Sequence, residues 1–215
     1  ENLRIGNGRI IFDFVSPFEN IKDVELGVPV SINIDNGIAA MALAQIAGAT
    51  AEEIRRGMLT FSGVDRRFDF KLKNDRIVFL SDYAHHPAEI KQSILSLREV
   101  FSGRKLSAIF QPHLFTRTRD FYKDFAASLS LLDEVVLTEI YPAREAPIEG
   151  VTSKLIYDNL AAGVEKHLIE NMLCKEDLPN YVREHDFDVL VVLGAGNVDN
   201  YVPELTEILK KKYNC

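Results

Sequence analysis

The sequence predicts an α/β fold: a mostly parallel sheet with helices on both faces, preceded by a segment of hairpin and helices. Two observations carry this prediction. From Phe70 onward, short apolar runs at Ile77–Leu80, Leu106–Phe110, Glu134–Ile140 and Val189–Leu193 alternate with helical patterns. Repeated βα order implies parallel strands joined by helical crossovers. After the first run, Ile90, Ile94, Leu97 and Phe101 step by 4, 3 and 4, which is one face of a helix.

Taken in order, Leu3–Phe14 reads as a hairpin, with Asn7-Gly8 as its tight turn. A short strand or loop is expected at Leu26–Val30. The Ala-rich run Gly37–Ala47 predicts a buried helix. Thr50 and Glu53 have the spacing of a capping box, which starts a second helix ending near Phe61. The turn Ser62–Phe68 closes this segment, and a domain boundary is expected there, between residues 1–68 and 69–215. Pro87 suits the first position of the next helix, where its missing N–H costs nothing. Glu89 adds a favourable negative charge to the first turn. A helix marked by Phe121, Phe125 and Leu129 follows Leu106–Phe110. After Glu134–Ile140 come the loop Tyr141–Gly150, a helix near Thr152–Leu160 and a short strand at Glu165–Ile169. A helix from Lys175 to Glu184 leads into Val189–Leu193, and a final helix starts near Pro203.

At 215 residues and 47% hydrophobic content the chain can bury a core as one large domain or two small ones. Its net charge of −7 argues against a general nucleic-acid binder. Cys174 and Cys215 lie far apart, which is neither a disulfide framework nor a zinc pattern and fits a reducing compartment. No run approaches the ~18 apolar residues of a membrane helix, and no signal-peptide pattern is visible. The phosphate loop G-x-x-x-x-G-K-[ST] does not occur. The chain opens at Glu1 without Met, and Leu3–Phe14 reads as cut into mid-fold, so an excised fragment is expected.

In open α/β sheets ligands bind at the carboxyl ends of strands, and this sequence crowds titratable groups there. Asp82, Tyr83, His85 and His86 follow Ile77–Leu80. A carboxylate at a strand end can accept both hydroxyls of a ribose, and imidazoles can donate to a phosphate or carboxylate; a solvated polar loop is the alternative. The segment Gln111–Arg119, with His113 and Arg117, follows the next strand and is expected beside the first. Arg117 offers a planar fork for a carboxylate or phosphate, unless the loop only caps a helix with Arg119 pairing Asp120. Asn33 and Asn36 stand just before a helix, as caps or as ligands, and the pair Arg66-Arg67 reads as surface as readily as site. Tyr141–Glu145 is a further polar loop after a strand, open to either reading. Gly194-Ala195-Gly196-Asn197 begins like G-x-G-x-x-G, but Asp199 fills the third glycine position, so a tight turn is expected there. His85, His86 and His113 as metal ligands have no helical His pair or His/Cys spacing behind them, and no metal site is expected.

In this order the motifs resemble those of the Mur ligases of peptidoglycan synthesis. SDYAHHPAEI, from Ser81 to Ile90, resembles the family's DDYGHHPTE motif, and FQPHLFTRTRDF, from Phe110 to Phe121, resembles FQPH-x-[YF]-[ST]-RT. YPAREAPIEGVTS, from Tyr141 to Ser153, and VLGAGN, from Val192 to Asn197, resemble the segments that follow. Ile32 stands where the family usually has His before Asn33, Leu114 where many members have Arg, and Ser81 where DDY has its first Asp.

The resemblance implies that residues 1–68 are the tail of a central ATPase domain and residues 69–215 a whole Rossmann-like, amino-acid-binding C-terminal domain. It implies the branch that adds L-alanine to UDP-N-acetylmuramate, in the cytoplasm, with ATP and Mg²⁺. There the muramyl carboxylate becomes an acyl phosphate and the amine of L-alanine attacks it, so catalysis is mostly positioning and charge stabilisation. By resemblance, Asn33 and Asn36 lie near the adenine, Arg67 contacts ATP phosphate and Asp82 holds the ribose. Tyr83, His85, His113 and Arg117 line the alanyl and muramyl end, with Arg117 on the alanine carboxylate. No residue of this chain is assigned to the bond-making step. ATP and Mg²⁺ would be held mainly by the part that is missing, so the chain alone is expected not to ligate. The alternatives are the muropeptide-recycling branch, which joins a tripeptide to UDP-N-acetylmuramate and has a PRSNT-like segment instead of FQPH…RT; a stand-alone nucleotide-binding module; and a metal hydrolase using the three histidines. No nucleic-acid or membrane partner is expected, and the sequence sets no oligomeric state.

Overall fold

The computed structural model describes residues 1–169 and 177–215. Cys174 and the expected helix start at Lys175 lie outside the described residues.

The chain opens with a three-stranded antiparallel sheet, β1 (Arg4–Gly6), β2 (Arg9–Phe14) and β3 (Ile21–Glu25). Asn7 and Gly8 both take positive φ, 50° and 73°, as a two-residue turn matching the strand twist requires. Of the two readings of Leu26–Val30, strand or loop, the structure has the loop, and just before it lies a strand not expected from the sequence, β3. Asp23 hides it from a period-two reading: its φ is +55°, and the β2–β3 register shifts between Phe12 and Phe14. Such a bulge breaks the alternation of faces.

Helix α1 spans Ile32–Ile46, five residues earlier than its Ala-rich stretch suggests, and α2 spans Ala51–Thr60. The α2 capping box is present: Thr50 Oγ1 accepts from Glu53 N at 3.3 Å, and Glu53 Oε2 accepts from Thr50 N at 2.8 Å. The expectation that α1 is buried is corrected. Only Gly37 and Met41 of α1 are buried, and Leu43 and Ile46 are 66% and 67% exposed. Apolar composition shows that a helix can be covered, not that this chain covers it.

The second sheet has six strands in the order β4-β5-β9-β6-β7-β8. They are β4 (Asp69–Lys73), β5 (Val78–Asp82), β6 (Leu106–Phe110), β7 (Glu134–Thr138), β8 (Glu165–Ile169) and β9 (Val189–Leu193). Only β4 is antiparallel to its neighbour. The crossovers are α3 (Pro87–Val100), α4 (Phe115–Leu129), α5 (Lys154–Asn159) and α6 (Asp177–Glu184). After β9 a 3₁₀ turn at Asn197–Tyr201 leads into α7 (Val202–Tyr213). Ile90, Ile94, Leu97, Phe125, Leu129 and Ile156, from α3, α4 and α5, pack with Leu80, Ala108, Phe110 and Val191 on one face. Leu178, Val182, Leu205 and Leu209, from α6 and α7, pack with Phe79, Ile109, Val136 and Val192 on the other. Every residue of β5, β6, β7 and β9 is buried, as unbroken apolar runs in a sheet covered on both faces should be.

Because β9 returns between β5 and β6, the strand order reverses there, and the carboxyl ends of these three strands form a crevice of the kind that holds ligands. α1 sits over one side of it, and the first sheet packs against the far end of α3. Gly8 N donates to Val100 O at 3.0 Å at the end of α3, and the Phe70 and Phe101 rings meet edge to face at 6.2 Å.

Candidate functional site

A cleft of about 900 Å³ lies between the first turn of α1 and the end of β5 with the start of α3. Asn33, Asn36, Arg67, Asp82, Tyr83 and His85 all line it. The asparagines are not caps, contrary to the bland reading. They lie inside the first turns of α1, behind Ser31 at its N-cap; Asn33 Nδ2 donates to Val28 O at 3.1 Å and Asn36 Nδ2 to Asn33 Oδ1 at 3.4 Å. A smaller apolar cavity of about 430 Å³ between α1 and α2, lined by Met41, Ile54 and Met58, also reaches Asn33 and Asn36.

Asp82 ends β5 and is 7% exposed. Its Oδ2 accepts from Ser93 Oγ and its Oδ1 from Ala84 N at 3.3 Å. Burial pushes this carboxyl above the usual range, opposed by Ser93, Ala84 and the charge of Arg67. The Arg67 guanidinium lines the cleft and makes no hydrogen bond among the described residues, so its donors remain available to an anion there. At the start of α3, His85 N and His86 N both donate to Glu89 Oε2 at 3.1 Å. Burial pushes the Glu89 carboxyl up, but these two donors and the adjacent imidazoles outweigh it and hold it low.

Rings continue the wall from β5 across to β6. Tyr83 meets His85 at 5.2 Å, His85 meets His113 at 5.9 Å, and His113 stacks on Tyr141 at 5.6 Å between centroids. His85 Nδ1 lies 2.9 Å from Tyr83 O. A carbonyl only accepts, so Nδ1 carries a proton. His113 Nδ1 is buried without a hydrogen-bond partner among the described residues. Burial, then the nearby Arg117 and His85 charges, push the His113 imidazole below its ordinary range. Arg117 Nη1 donates to His85 O at 3.4 Å.

The expectation that the two histidine loops leave neighbouring strands is corrected: β9 lies between β5 and β6. The loops still meet, through the His85 and His113 rings and the bond from Arg117 to His85 O. His86 faces away, its ring 5.2 Å from Phe121, which is 37% exposed instead of in the core face expected of it. Arg119 pairs with Asp120 at 2.7 Å, as the bland reading of its loop has it.

Four partners of the site were not legible as such. Gln111, 1% exposed, accepts from Val198 N at 3.0 Å and donates to Asn197 Oδ1 at 2.8 Å, fixing the turn after β9. Glu145 accepts from Thr116 N at 2.9 Å and from Thr116 Oγ1, so the Tyr141–Glu145 loop is tied to the first turn of α4. Thr116 and the neighbouring backbone hold the Glu145 carboxyl low. Arg66 and Asp199 pair across the turn at 3.2 Å. Asp199 in the third glycine position was the available signal: a carboxylate there calls for a cation. Leu114, where many Mur ligases have Arg, adopts φ +73° at the head of α4, an uncommon conformation for a residue with a side chain.

Among the described residues, the His/Asp/Glu ligand atoms close enough together to share a metal are those of Glu134, Glu165 and His167, at the opposite end of the sheet. Lys105 Nζ already lies 2.8 Å from Glu134 and 2.9 Å from Glu165, with Tyr181 OH donating to Glu134 at 2.8 Å. That group is a satisfied ion-pair network.

Comparison with known proteins agrees with the geometry. The sequence profile of the Mur ligase, glutamate ligase domain matches residues 66–196. The UDP-N-acetylmuramate–L-alanine ligase of Phocaeicola vulgatus is 66% identical over 212 residues, covering 99% of this chain and 45% of that protein. The same-named enzyme of Porphyromonas gingivalis strain W83 is 47% identical, over 97% of this chain and 45% of its own. A crystal structure of the UDP-N-acetylmuramate–alanine ligase of Thermotoga maritima superposes with a TM-score of 0.72 at 26% identity, over 99% of this chain and 45% of that one. The Thermotoga maritima folylpolyglutamate synthase shares the fold, with a TM-score of 0.69 at 16% identity. The chain thus spans about half the length of the relatives it matches. With its motifs, its sheet order and a profile match over most of its length, the chain belongs to the Mur ligase family.

Proposed function

We propose that this chain is the C-terminal part of an ATP-dependent ligase that joins L-alanine to UDP-N-acetylmuramate in peptidoglycan synthesis, in the cytoplasm, with its domain boundary at residues 68/69. The observation that carries the proposal is the cleft, in which residues of α1 and of β5, nearly fifty positions apart, line one volume together with Arg67. The names of the relatives favour alanine over a tripeptide as the amine substrate.

The donor set fits a nucleotide. Asn33 and Asn36 present amides that can both donate and accept, as an adenine edge requires. Arg67 presents a guanidinium for phosphate. Asp82, a carboxylate kept buried at a strand end, suits a ribose diol, which would supply the donors that its lone pairs lack. ATP supplies the phosphoryl group that activates the muramyl carboxylate; no residue of this chain is assigned to Mg²⁺. The chain's own work is positioning. Arg117, facing the ring wall, holds the amino-acid carboxylate. The neutral His113 can take a hydrogen bond from the incoming amine, with the His85 ring beside it. A neutral imidazole there can accept the proton that the L-alanine ammonium must lose before its lone pair is free to attack.

The test is phosphate release by the complete protein with ATP, UDP-N-acetylmuramate and increasing L-alanine, beside the present chain. The complete protein is expected to turn over. The present chain, without a phosphate loop, is not. Arg117→Ala in the complete protein is expected to raise the alanine KM about tenfold or more, the loss of about 1.4 kcal/mol or more of binding. Turnover with a free tripeptide and none with L-alanine would transfer the assignment to the recycling branch.

A further inference from the structure

Arg66 precedes the proposed nucleotide-contacting Arg67, yet its side chain runs the other way. It reaches the carboxyl ends of β5 and β9, the second of them more than a hundred residues away in sequence. Its guanidinium carbon lies 4.6 Å from the centroid of the Tyr83 ring. Its Nη2 donates to Gly194 O at 3.2 Å and to Gly196 O at 3.4 Å. Its Nε lies 3.2 Å from Asp199 Oδ2, an ion pair without hydrogen-bond alignment, and that carboxylate is fixed in turn by Ser81 Oγ at 2.8 Å on Oδ1. The backbone joins in: Tyr83 N donates to Arg66 O at 2.6 Å, and Arg66 N donates to Asp69 Oδ2 at 3.2 Å.

This contact set is held by an uncommon backbone. Arg66 has φ +62° and Phe68 φ +45°, both left-handed for residues with side chains. Strain of this kind persists only where the surroundings over-determine it, and it gathers at functional sites. Here it turns two successive arginines to opposite sides of the same wall. Tyr83 needs such a support. It is 37% exposed, and its ring is the first in the series that continues through His85 and His113 to Tyr141. An exposed ring on a loop has two free side-chain torsions; a cation over its face removes one set of orientations.

We propose that Arg66 is a positioning residue: anchored by the Gly194–Gly196 turn, it fixes the Tyr83 ring, and so sets the amino-acid side of the cleft while Arg67 serves the nucleotide side. The inference rests on Tyr83 lining the amino-acid subsite, as in the proposed function. It acts through Tyr83, so its effect belongs in the amino-acid KM.

The test is a double-mutant cycle in the complete protein. Arg66→Met keeps the bulk of the side chain and removes the cation. It is expected to raise the L-alanine KM about five- to tenfold, with kcat and the ATP KM within about twofold, the range that a partly buried cation–ring contact supplies. Arg66→Lys keeps a cation over the ring and is expected to recover part of the loss. In a Tyr83→Leu background Arg66→Met is expected to add less than about twofold. An unchanged alanine KM in Arg66→Met overturns the proposal. So does the same loss with and without the Tyr83 ring, or a fall of kcat with both KM values unchanged. Wild-type protein without alanine-dependent turnover refutes the ligase reading instead. The present chain judges the contact in either case. Arg66→Met is expected to shift the Tyr83 ring-proton resonances while leaving those of Tyr157 and Tyr213 in place, and unmoved Tyr83 resonances overturn the proposal.

Discussion

Asp82 at the end of β5 and His113 in the ring wall are shifted in opposite senses by one cause, since burial disfavours whichever form is charged. For His113 the folded pKa lies below the unfolded one, so the unfolded state binds more protons as pH falls beneath the ordinary 6.5. The stability from a neutral His113 is therefore complete above pH 6.5 and is lost as pH falls through the window below it. His113→Gln should flatten stability against pH in that window, and Arg117→Ala should raise the His113 pKa read by NMR titration; an unmoved pKa sinks the role of the Arg117 charge. For Asp82 the folded pKa lies above the model-peptide 3.8, so the protonated form contributes stability that is lost as pH rises through that window. Asp82→Asn should make the chain more resistant to denaturant at pH 7 and no more resistant near pH 3. A variant less stable at pH 7 would mean that the bonds from Ser93 and Ala84 outweigh desolvation.

At the scale of elements, the turn after β9 is the tightest piece of the site. A Cβ on Gly196 would lie 2.3 Å from Gln111 Oε1 and 2.8 Å from Tyr141 Cβ, and one on Gly194, at φ +143°, would lie 2.9 Å from Gln111 O. Backbone this close leaves no room for a methyl group, so Gly196→Ala must move either the turn or the Tyr141 loop. We expect a cost on the order of 1–3 kcal/mol, as for overpacking elsewhere, together with displaced Tyr141 and His113 resonances. A variant with wild-type melting and unmoved rings would show the turn to be loose. Capping is a smaller and separable matter: Thr50→Ala should cost about 1 kcal/mol in α2 and leave the cleft unaffected.

For the whole molecule, the uncovered side of α1 dominates solution behaviour. Ile38, Leu43 and Ile46 expose 42%, 66% and 67% of their surface, and α2 adds Leu59 and Phe61, both 52% exposed. Contiguous apolar surface of this kind promotes association. The isolated chain should self-associate with concentration in sedimentation velocity, and Leu43→Glu with Ile46→Lys should reduce this without altering the circular dichroism spectrum. A wild-type chain that stays monomeric over the same range would overturn the expectation. Among the described residues, no helix is long and apolar enough to cross a membrane.

What the sequence determined by itself was local. Pro87 at the head of α3, the Thr50–Glu53 box, the Asn7-Gly8 turn and the apolar runs of β6 and β9 are each encoded within a few residues, and each lies where its pattern placed it. The resemblance of the motifs carried the family. The tertiary structure decided what depends on pairing at long range. Nothing near Val189–Leu193 says that β9 slides between β5 and β6, because strand order follows from how helices cover a sheet and not from the strand's own residues. Arg66 looked like half of a surface pair because the carbonyls and the carboxylate that hold its guanidinium stand 128 and more residues away. Asn33 and Asn36 could be told from caps only once α1 was seen to begin before them. Local propensity acts over a turn or two, whereas a cleft is made by chain segments that meet only after the core has formed.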